Sequence, residues 1–344
     1  MDIRGDDLQR VIDDQAGLFT QSQVTVCGYS RSRVRRHIES GRWVIVLRGV
    51  YAVAAGPLDR EQTLRAALLY GGAHALLSHH TAAEEWGFVR RATSLQPVHV
   101  TVPYGRSARC QAPTSVRGRS TNTAPVARVG STVHPGVVVH RSRAYPYVVH
   151  GSALPRTGAA DTAVDLATAE PTAREAMSTL VSVVSTGVVT VGAVRTRLVQ
   201  RPPYRYRAAL NRAVEFLTDG VASVLELAYA VEVEEAHGLP RARRQSPVTV
   251  DGRTLFEDVD YSPHGADLIV RLDGRRFHST SAVAFRDRRR DNAAELAGRP
   301  RLVYGYDEVV RDPCGVAAEV ATVLRREGWV GESGCARCAP FAHP

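Results

Sequence analysis

Boundary signals for helices and strands follow one another in the first fifty-odd residues, and their order constrains the fold more than any other feature. The stretch LQRVIDDQAGLF (8–19) has apolar residues at helical spacing and meets a stop at Gly17. Thr20 then begins a second helix, because Gln23 stands where a capping box requires it, and Gly28 ends that helix. These signals predict two short helices.

A third helix, RSRVRRHIESG, is predicted between the cap Ser30 and Gly41. Its apolar residues Val34 and Ile38 are four apart, so they share one face and point inward. The rest of the helix surface is crowded with positive charge, carried by Arg31, Arg33, Arg35 and Arg36.

The next stretch, RWVIVLRGVYAV (42–53), is β-branched and aromatic, which predicts two short strands with Arg48-Gly49 as the bend. Helix, turn, arginine-rich helix and hairpin is the order of a winged helix-turn-helix, whose third helix enters the major groove of DNA. A helix with a solvated basic face is the alternative. The agreement of caps, element order and hairpin favours DNA binding through these residues: Arg31, Arg33, Arg35, Arg36 and Arg48.

The overall charge suits a nucleic-acid partner. The chain has a formal net charge of +9 and a pI of about 9.7, and its 44 Lys and Arg residues are all arginine. A genome rich in GC codons explains the absence of lysine, but guanidinium groups bind phosphate bidentately in any case. We therefore expect double-stranded DNA as a partner.

The sequence offers no membrane segment. The longest weakly polar run, 179–194, is too short for a membrane span, and the N-terminal stretch is acidic and polar. These features predict a cytoplasmic protein without a membrane partner.

The whole chain predicts an α+β multidomain protein. Residues 57–210 mix helical and strand patterns without visible chemistry. From 211 onward the order is helix, two antiparallel strands, helix, strand and helix, which is a three-layer α/β plan. The predicted domains are a winged helix-turn-helix at 1–56, a mixed middle region at 57–210, a three-layer α/β domain at 211–330 and a polar tail at 331–344.

Carboxylates near the ends of neighbouring strands could carry chemistry in the third region. Asp258 and Asp260 alternate onto one face of their strand, Asp273 ends the next strand, and Glu226 lies on the preceding helix. Mg²⁺ takes oxygen ligands, lowers the pKa of a bound water and neutralises charge on phosphate. The pattern suits a magnesium-dependent nuclease, but spacing alone favours the alternative, in which the two strand aspartates form a solvated face and Asp273 is the turn residue of an Asp-Gly bend.

Two family resemblances cover most of the chain. Residues 223–330 resemble the nuclease-like domain of the very-short-patch repair endonuclease type, within the PD-(D/E)XK superfamily, through SVLE, GLPRARRQ, EDVDY, VRLDGRRFH, RDRRRDN and REGW in that order. Residues 1–90 resemble the N-terminal winged helix of the AbiEi family of type IV antitoxins through LFTQSQ, SGRWVIVLRGVYAV and LSHHTAAEEWG. The segment ALPRTGAADTAVDLA is similar to one that often follows in such chains, whereas residues 92–150 match poorly. The first resemblance implies a restriction-endonuclease-like fold for the third region.

The endonuclease resemblance implies roles by position. Glu226 matches the helix glutamate and Asp258 the strand aspartate, both as metal ligands, with Asp260 as the fallback. Asp273 and His278 complete the implied catalytic set. His278 would act as general acid or base, or else be a hydrogen-bonded histidine at a strand end.

Arg271 departs from the family pattern, which usually has a glutamate at this position, although the repair endonucleases often have an apolar residue there. A guanidinium repels Mg²⁺ while pairing with a carboxylate such as Asp258 or with phosphate. At ~4 Å and an effective dielectric near 20, such an interaction is worth about 4 kcal/mol. We therefore expect weakened magnesium binding and retained affinity for nucleic acid, to which Arg290 on the following helix would contribute.

The five cysteines do not predict a disulfide framework, because their number is odd and no secretory signal is visible. Cys335 and Cys338 form a CxxC motif in the polar tail. A structural zinc site needs four ligands, and the other half is missing unless Cys314 or His343 folds back. Zinc is therefore predicted to be unlikely as a cofactor.

Two functions compete, and the residues leave enzymatic activity open. The first is a DNA-binding regulator of the AbiEi antitoxin type, an autorepressor with a degenerate nuclease-like domain, for which the resemblance implies a cognate nucleotidyltransferase toxin. The second is an active magnesium-dependent DNA endonuclease of the very-short-patch repair type, targeted by its winged helix. A protein-binding module with vestigial DNA-related features is a third possibility.

Overall fold

The computed structural model of the protein describes residues 3–53, 57–94, 96–115, 131–250, 252–274, 289, 292–336 and 338. The chain divides into two compact units, Met1–Leu166 and Ala167–Pro344, and the predicted middle region at 57–210 spans this division. Helices and sheets occur in both units, which confirms the predicted α+β multidomain class. None of the helices in the described ranges is long and apolar enough to cross a membrane.

The first unit begins with three helices and a hairpin, in the order that the sequence predicts. The elements are α1 (Ile3–Asp14), β1 (Leu18–Thr20), α2 (Gln21–Val26), α3 (Arg31–Glu39), β2 (Trp43–Leu47) and β3 (Val50–Val53). The strands form an antiparallel sheet in the order β1-β3-β2. The predicted caps are present, because Thr20 and Gln23 form a capping box at α2 and the Ser30 hydroxyl accepts a hydrogen bond from the Arg33 amide at α3.

A small apolar core holds these elements together. Phe19 is 0 % exposed, and its ring centroid lies 4.7 Å from that of Trp43 in an edge-on arrangement. Val24 from α2 and Val34 from α3 are buried in the same cluster. Fully burying a side chain of this size contributes about 1.5–3 kcal/mol. Helix α3 is therefore fixed through its inner face, and its outer face remains accessible.

The remainder of the first unit surrounds a five-stranded sheet in the order β8-β5-β4-β10-β9, in which β5 and β8 are parallel. Two further strands, β6 and β7, form a separate antiparallel pair. The elements are α4 (Arg60–Gly71), β4 (Leu76–Leu77), α5 (His79–Trp86), β5 (Val98–Pro103), β6 (Thr114–Ser115), β7 (Thr132–His134), β8 (Val137–Ser142), α6 (Tyr145–Val148), β9 (Val149–His150), β10 (Arg156–Thr157) and α7 (Ala159–Ala169).

The second unit combines helices with a four-stranded sheet in the order β11-β12-β13-β14, antiparallel except for the pair β13 and β14. Strand β11 was not predicted, because RRQSPVTV is too polar to indicate a strand. The elements are α8 (Ala173–Val184), α9 (Val191–Gln200), α10 (Arg207–Thr218), α11 (Val224–Ala228), a π-helical segment (Tyr229–Glu235), β11 (Arg243–Val250), β12 (Arg253–Asp260), β13 (Ile269–Asp273), β14 (Arg301–Gly305), α12 (Tyr306–Arg311) and α13 (Pro313–Arg326).

A buried polar network explains how the polar strand β11 is tolerated. The Arg244 guanidinium pairs with Glu234 of the π-helical segment, and both side chains are almost fully buried. The Tyr261 hydroxyl donates a 2.9 Å hydrogen bond to the same carboxylate, and the Ala242 amide donates another at 3.3 Å. Burial raises the pKa of Glu234, while the charge of Arg244 opposes that shift. Because the carboxylate has several donors, its cost of burial is offset.

Candidate nucleic-acid interface and carboxylate site

The outer side of α3 carries a group of arginines that we call the arginine face: Arg31, Arg33, Arg35 and Arg36. All four side chains are exposed, whereas Val34 is only 4 % exposed. An α-helix turns by about 100° per residue, so Arg36, two residues after Val34, points away from the core. Arg48 is exposed at the turn between β2 and β3, where its amide donates a 3.0 Å hydrogen bond to the Gln111 side chain.

Aromatic rings support the arginine face. The Arg33 guanidinium lies over the Tyr29 ring, 4.0 Å from its centroid, and this cation–π contact restrains the side chain. The His37 ring stacks on Trp43, with centroids 4.4 Å apart. Helix α3 therefore presents its guanidinium groups from a firmly packed support.

The arginine face carries positive charge that no described carboxylate balances, since none of its four guanidinium groups forms a salt bridge within the described ranges. The pKa of His37 is lowered first by burial and then by the charges of Arg33, Arg42 and Arg36. A lowered histidine pKa is the direction expected in a positive potential. Such a surface attracts the phosphate backbone of DNA.

Glu226 lies in the first turn of α11 and is 6 % exposed. Its carboxylate accepts hydrogen bonds from the Ala222 amide (3.0 Å) and the Ser223 hydroxyl (3.1 Å). Burial raises the pKa of Glu226 and the negative charge of Asp258 adds to the shift, while hydrogen bonds from Ala222, Gln245 and Ser223 oppose it. The glutamate and aspartate that the sequence pairs as metal ligands are thus close enough to interact electrostatically.

The two candidate aspartates of β12 have different surroundings. Asp258 accepts a 2.9 Å hydrogen bond from the Leu272 amide of β13. Asp260 is 1 % exposed and accepts hydrogen bonds from Arg243 (2.6 Å) and Arg299 (2.8 Å). Burial alone would raise the pKa of Asp260, but hydrogen bonds, led by that from Arg243, lower it well below its usual range. The fallback ligand is therefore held in ion pairs with Arg243 and Arg299.

Arg271 forms a bidentate ion pair with a buried carboxylate. Its Nε and Nη2 donate to the two carboxylate oxygens of Glu257, over 3.0 Å and 3.1 Å. Both side chains are buried, 5 % and 2 % exposed. The sequence predicted a carboxylate such as Asp258 as a partner of Arg271, and the structure places the carboxylate of Glu257 there. This carboxylate balances the charge of the guanidinium.

The remaining predicted site residues are Asp273, His278 and Arg290. Asp273 is exposed at the end of β13, paired in register with Gly305 of β14. His278 and Arg290 lie outside the described residues. Gln245, which the sequence did not single out, contacts Glu226 and has a φ of 49°, a left-handed conformation uncommon for a residue other than glycine. Backbone strain of this kind concentrates at functional sites.

A histidine cluster in the first unit was not predicted. Ring nitrogens of His79, His99 and His140 lie within 4.8 Å of one another. The His79 and His140 rings stack with centroids 3.5 Å apart, and His79 Nδ1 lies 3.9 Å from Asp165 Oδ2. Burial, reinforced by the neighbouring rings, lowers the pKa of His79 to about 3 and that of His140 to about 4. The cluster is therefore a packed group of neutral rings near neutral pH.

A second cluster in the second unit contains a histidine and three cysteines, whose ligand atoms also lie within 4.8 Å of one another: His237, Cys314, Cys335 and Cys338. The sequence raised Cys314 as a partner of the CxxC motif only if the chain folded back, and the structure brings them together. His237 was missed, because nothing in its local sequence distinguishes it.

Residues 6–54 match the model of a protein family described as "Transcriptional regulator, AbiEi antitoxin". A search of curated proteins finds no significant match for the chain. The matched segment contains the arginine face and the hairpin turn with Arg48. The N-terminal part of the chain is thus similar to AbiEi antitoxins, and this likeness supports a DNA-binding, antitoxin-like regulator.

Proposed function

We propose that the protein is a transcriptional regulator of the antitoxin type, whose first unit is a winged helix-turn-helix with α3 as the helix that enters the major groove. The arginine face carries this proposal, because a capped helix packed through Val34 presents four exposed guanidinium groups that no described carboxylate balances. The turn with Arg48 would contact the DNA backbone beside it. The family match over residues 6–54 supports the same unit.

The regulator is further proposed to repress its own operon and to oppose a nucleotidyltransferase toxin. Both statements extend the likeness to AbiEi antitoxins beyond DNA binding. The second unit would then serve as a scaffold. Its resemblance to nucleases would not reflect a catalytic role in this protein.

DNA binding is tested with the full-length protein and labelled duplex DNA from the region upstream of its own gene. We expect binding at about 0.15 M salt that unlabelled upstream DNA abolishes and unrelated DNA does not, since base contacts persist when phosphate contacts weaken. Equal competition by both DNAs at this salt would contradict a specific regulator.

Replacing Arg35 and Arg36 together by alanine is expected to lower the affinity for the upstream DNA roughly 10- to 100-fold, because contacts to bases and phosphates are lost. The matched control removes two exposed arginines of the second unit, Arg207 and Arg253, and should change the affinity less than about twofold. Fluorescence anisotropy measures both. An equal loss in the two variants would show that net charge, and not α3, governs binding.

A second candidate function, a magnesium-dependent DNA endonuclease, is favoured by the interaction between Glu226 and Asp258. Two carboxylates on adjacent elements are the oxygen ligands that Mg²⁺ takes, so Glu226 and Asp258 would hold the ion. Bound there, Mg²⁺ would activate a water molecule and neutralise charge on the phosphate. The Ala222 and Leu272 amides already hold one oxygen of each carboxylate in place.

The endonuclease is tested by incubating supercoiled plasmid with the protein and Mg²⁺ or Mn²⁺. If it is active, nicking should fall roughly 100-fold or more in Glu226→Gln and in Asp258→Asn, as for loss of a catalytic group. The control Asp267→Asn removes an exposed carboxylate of the same unit and should keep full activity. Nicking that persists in both site variants would come from a contaminant and would remove this candidate.

A further inference from the structure

We propose that the second unit binds one structural zinc ion through His237, Cys314, Cys335 and Cys338, and that the ion fastens the C-terminal segment to two helices. The ligand atoms of these four side chains lie within 4.8 Å of one another. Three thiolates and one imidazole are a common ligand set for tetrahedral zinc. The proposal is independent of the proposed DNA-related functions.

The distances between the ligand atoms fit a tetrahedron. Zinc–sulfur bonds of about 2.3 Å and zinc–nitrogen bonds of about 2.0–2.1 Å place two sulfurs about 3.8 Å apart and a nitrogen and a sulfur about 3.6 Å apart. The observed separations are 3.9 Å between the sulfurs of Cys314 and Cys335 and 3.4 Å between His237 Nε2 and the Cys314 sulfur. Cys335 and Cys338 are 3.2 Å apart as free thiols. Small adjustments would therefore complete the site.

The imidazole of His237 is oriented for metal binding. The residue is 2 % exposed, and its Nδ1 lies 3.1 Å from the Val233 carbonyl oxygen. Only a protonated Nδ1 can donate to a carbonyl, which leaves the lone pair of Nε2 directed toward the cysteines. A backbone carbonyl that fixes the ring in this way is the usual second partner of a histidine ligand.

The chain around the CxxC motif is already placed against the other two ligands. The Gly334 amide donates a 3.0 Å hydrogen bond to the His237 carbonyl, and the Cys338 amide donates one of 3.0 Å to the Cys335 carbonyl. Cys314 lies in the first turn of α13, where the helix dipole favours the negative charge of a thiolate.

Four protein ligands leave no open coordination position, so the ion would have a structural and not a catalytic role. Because structural zinc binding is coupled to folding, occupancy should be visible in thermal stability.

The test uses full-length protein purified without chelators. We expect one zinc per chain by elemental analysis, visible charge-transfer bands from thiolates after exchange for Co²⁺, and a melting temperature that falls by roughly 10 °C or more when zinc is chelated. The double variant Cys335→Ser/Cys338→Ser should lose the metal. The control Cys110→Ser, an exposed cysteine of the first unit, should keep one zinc.

Three results would overturn the proposal. The first is a folded wild-type protein that contains no zinc and shows no cobalt–thiolate bands. The second is a Cys335–Cys338 disulfide found by mass spectrometry. The third is zinc that remains bound in the double cysteine variant but is lost in His140→Gln. The last result would place the metal in the histidine cluster. If the cysteine variant fails to fold, the metal content and cobalt spectrum of the wild-type protein still decide the question.

Discussion

Glu257→Gln is expected to lower the free energy of unfolding of the second unit by about 3–5 kcal/mol, the usual cost of removing one partner from a buried ion pair. The buried Arg271 guanidinium would lose the carboxylate that receives two of its hydrogen bonds, and arginine cannot shed its proton.

Hydrogen exchange of peptides from β12 and β13, measured in a urea series, reports the change in the free energy of unfolding at the two strands that carry the pair. The double variant Glu257→Leu/Arg271→Met should recover most of the lost stability, since two apolar side chains replace the pair. Arg253→Met, at the exposed start of β12, is the control and should stay within about 0.5 kcal/mol of wild type. A similarly small effect of Glu257→Gln would show that this pair is not essential to the sheet.

Acidification from about pH 7.5 to about pH 5 is expected to destabilise the first unit by about 2–4 kcal/mol through His79 and His140. In the unfolded chain these histidines take up protons below about pH 6.5. In the folded unit, burial first and neighbouring rings second keep their pKa values at about 3 and about 4. The unfolded state therefore binds more protons over this range, so stability is fully present above the unfolded value and declines below it.

Urea unfolding at several pH values measures this effect. In a Trp329→Phe background, the remaining tryptophans, Trp43 and Trp86, both lie in the first unit and report on it alone. His140→Gln should remove about half of the pH dependence, whereas the exposed His74→Gln should leave it unchanged. His37 and His134, whose pKa values are also lowered, lie outside the cluster and contribute equally to every variant. The same pH dependence in His140→Gln and wild type would contradict a role of the cluster.

The N-terminal elements could be predicted because their signals are local. The caps at Thr20 and Ser30 depend on residues three positions further on, and the hairpin follows from two β-branched runs joined by a glycine turn. Such signals do not require knowledge of the tertiary structure. The exposed arginines of α3 follow from the same helical spacing, with Val34 as the inward residue.

The sequence predicted a carboxylate partner for Arg271, but not which carboxylate. Glu257 and Asp258 are adjacent on one strand, so their side chains point to opposite faces of the sheet. A shift of one residue in the local strand pairing would therefore bring the other of the two carboxylates to Arg271. Strands β12 and β13 pair in register at Val259↔Val270 and Asp260↔Ile269. The sequence identified the strands correctly but not this contact.

The cluster of His237, Cys314, Cys335 and Cys338 could not be predicted for a similar reason. His237 and Cys314 are 77 positions apart, and no periodicity connects them. Only the CxxC spacing pointed to a site, and it supplies half of the ligand set. The prediction that zinc is unlikely rested on the other two ligand positions, and the fold places His237 and Cys314 beside the motif.

The π-helical segment Tyr229–Glu235 changes the direction in which side chains on either side of it point. Glu226 and His237 are 11 positions apart (237 − 226), which in a regular α-helix would align them to within about 20°. One wide turn adds about one residue and offsets everything beyond it by about 100°. The Glu226 carboxylate is thereby directed toward Asp258 on β12, and the His237 imidazole toward the sulfur of Cys314. The wide turn therefore separates, along one helix, the carboxylates proposed to hold Mg²⁺ from the imidazole proposed to hold zinc.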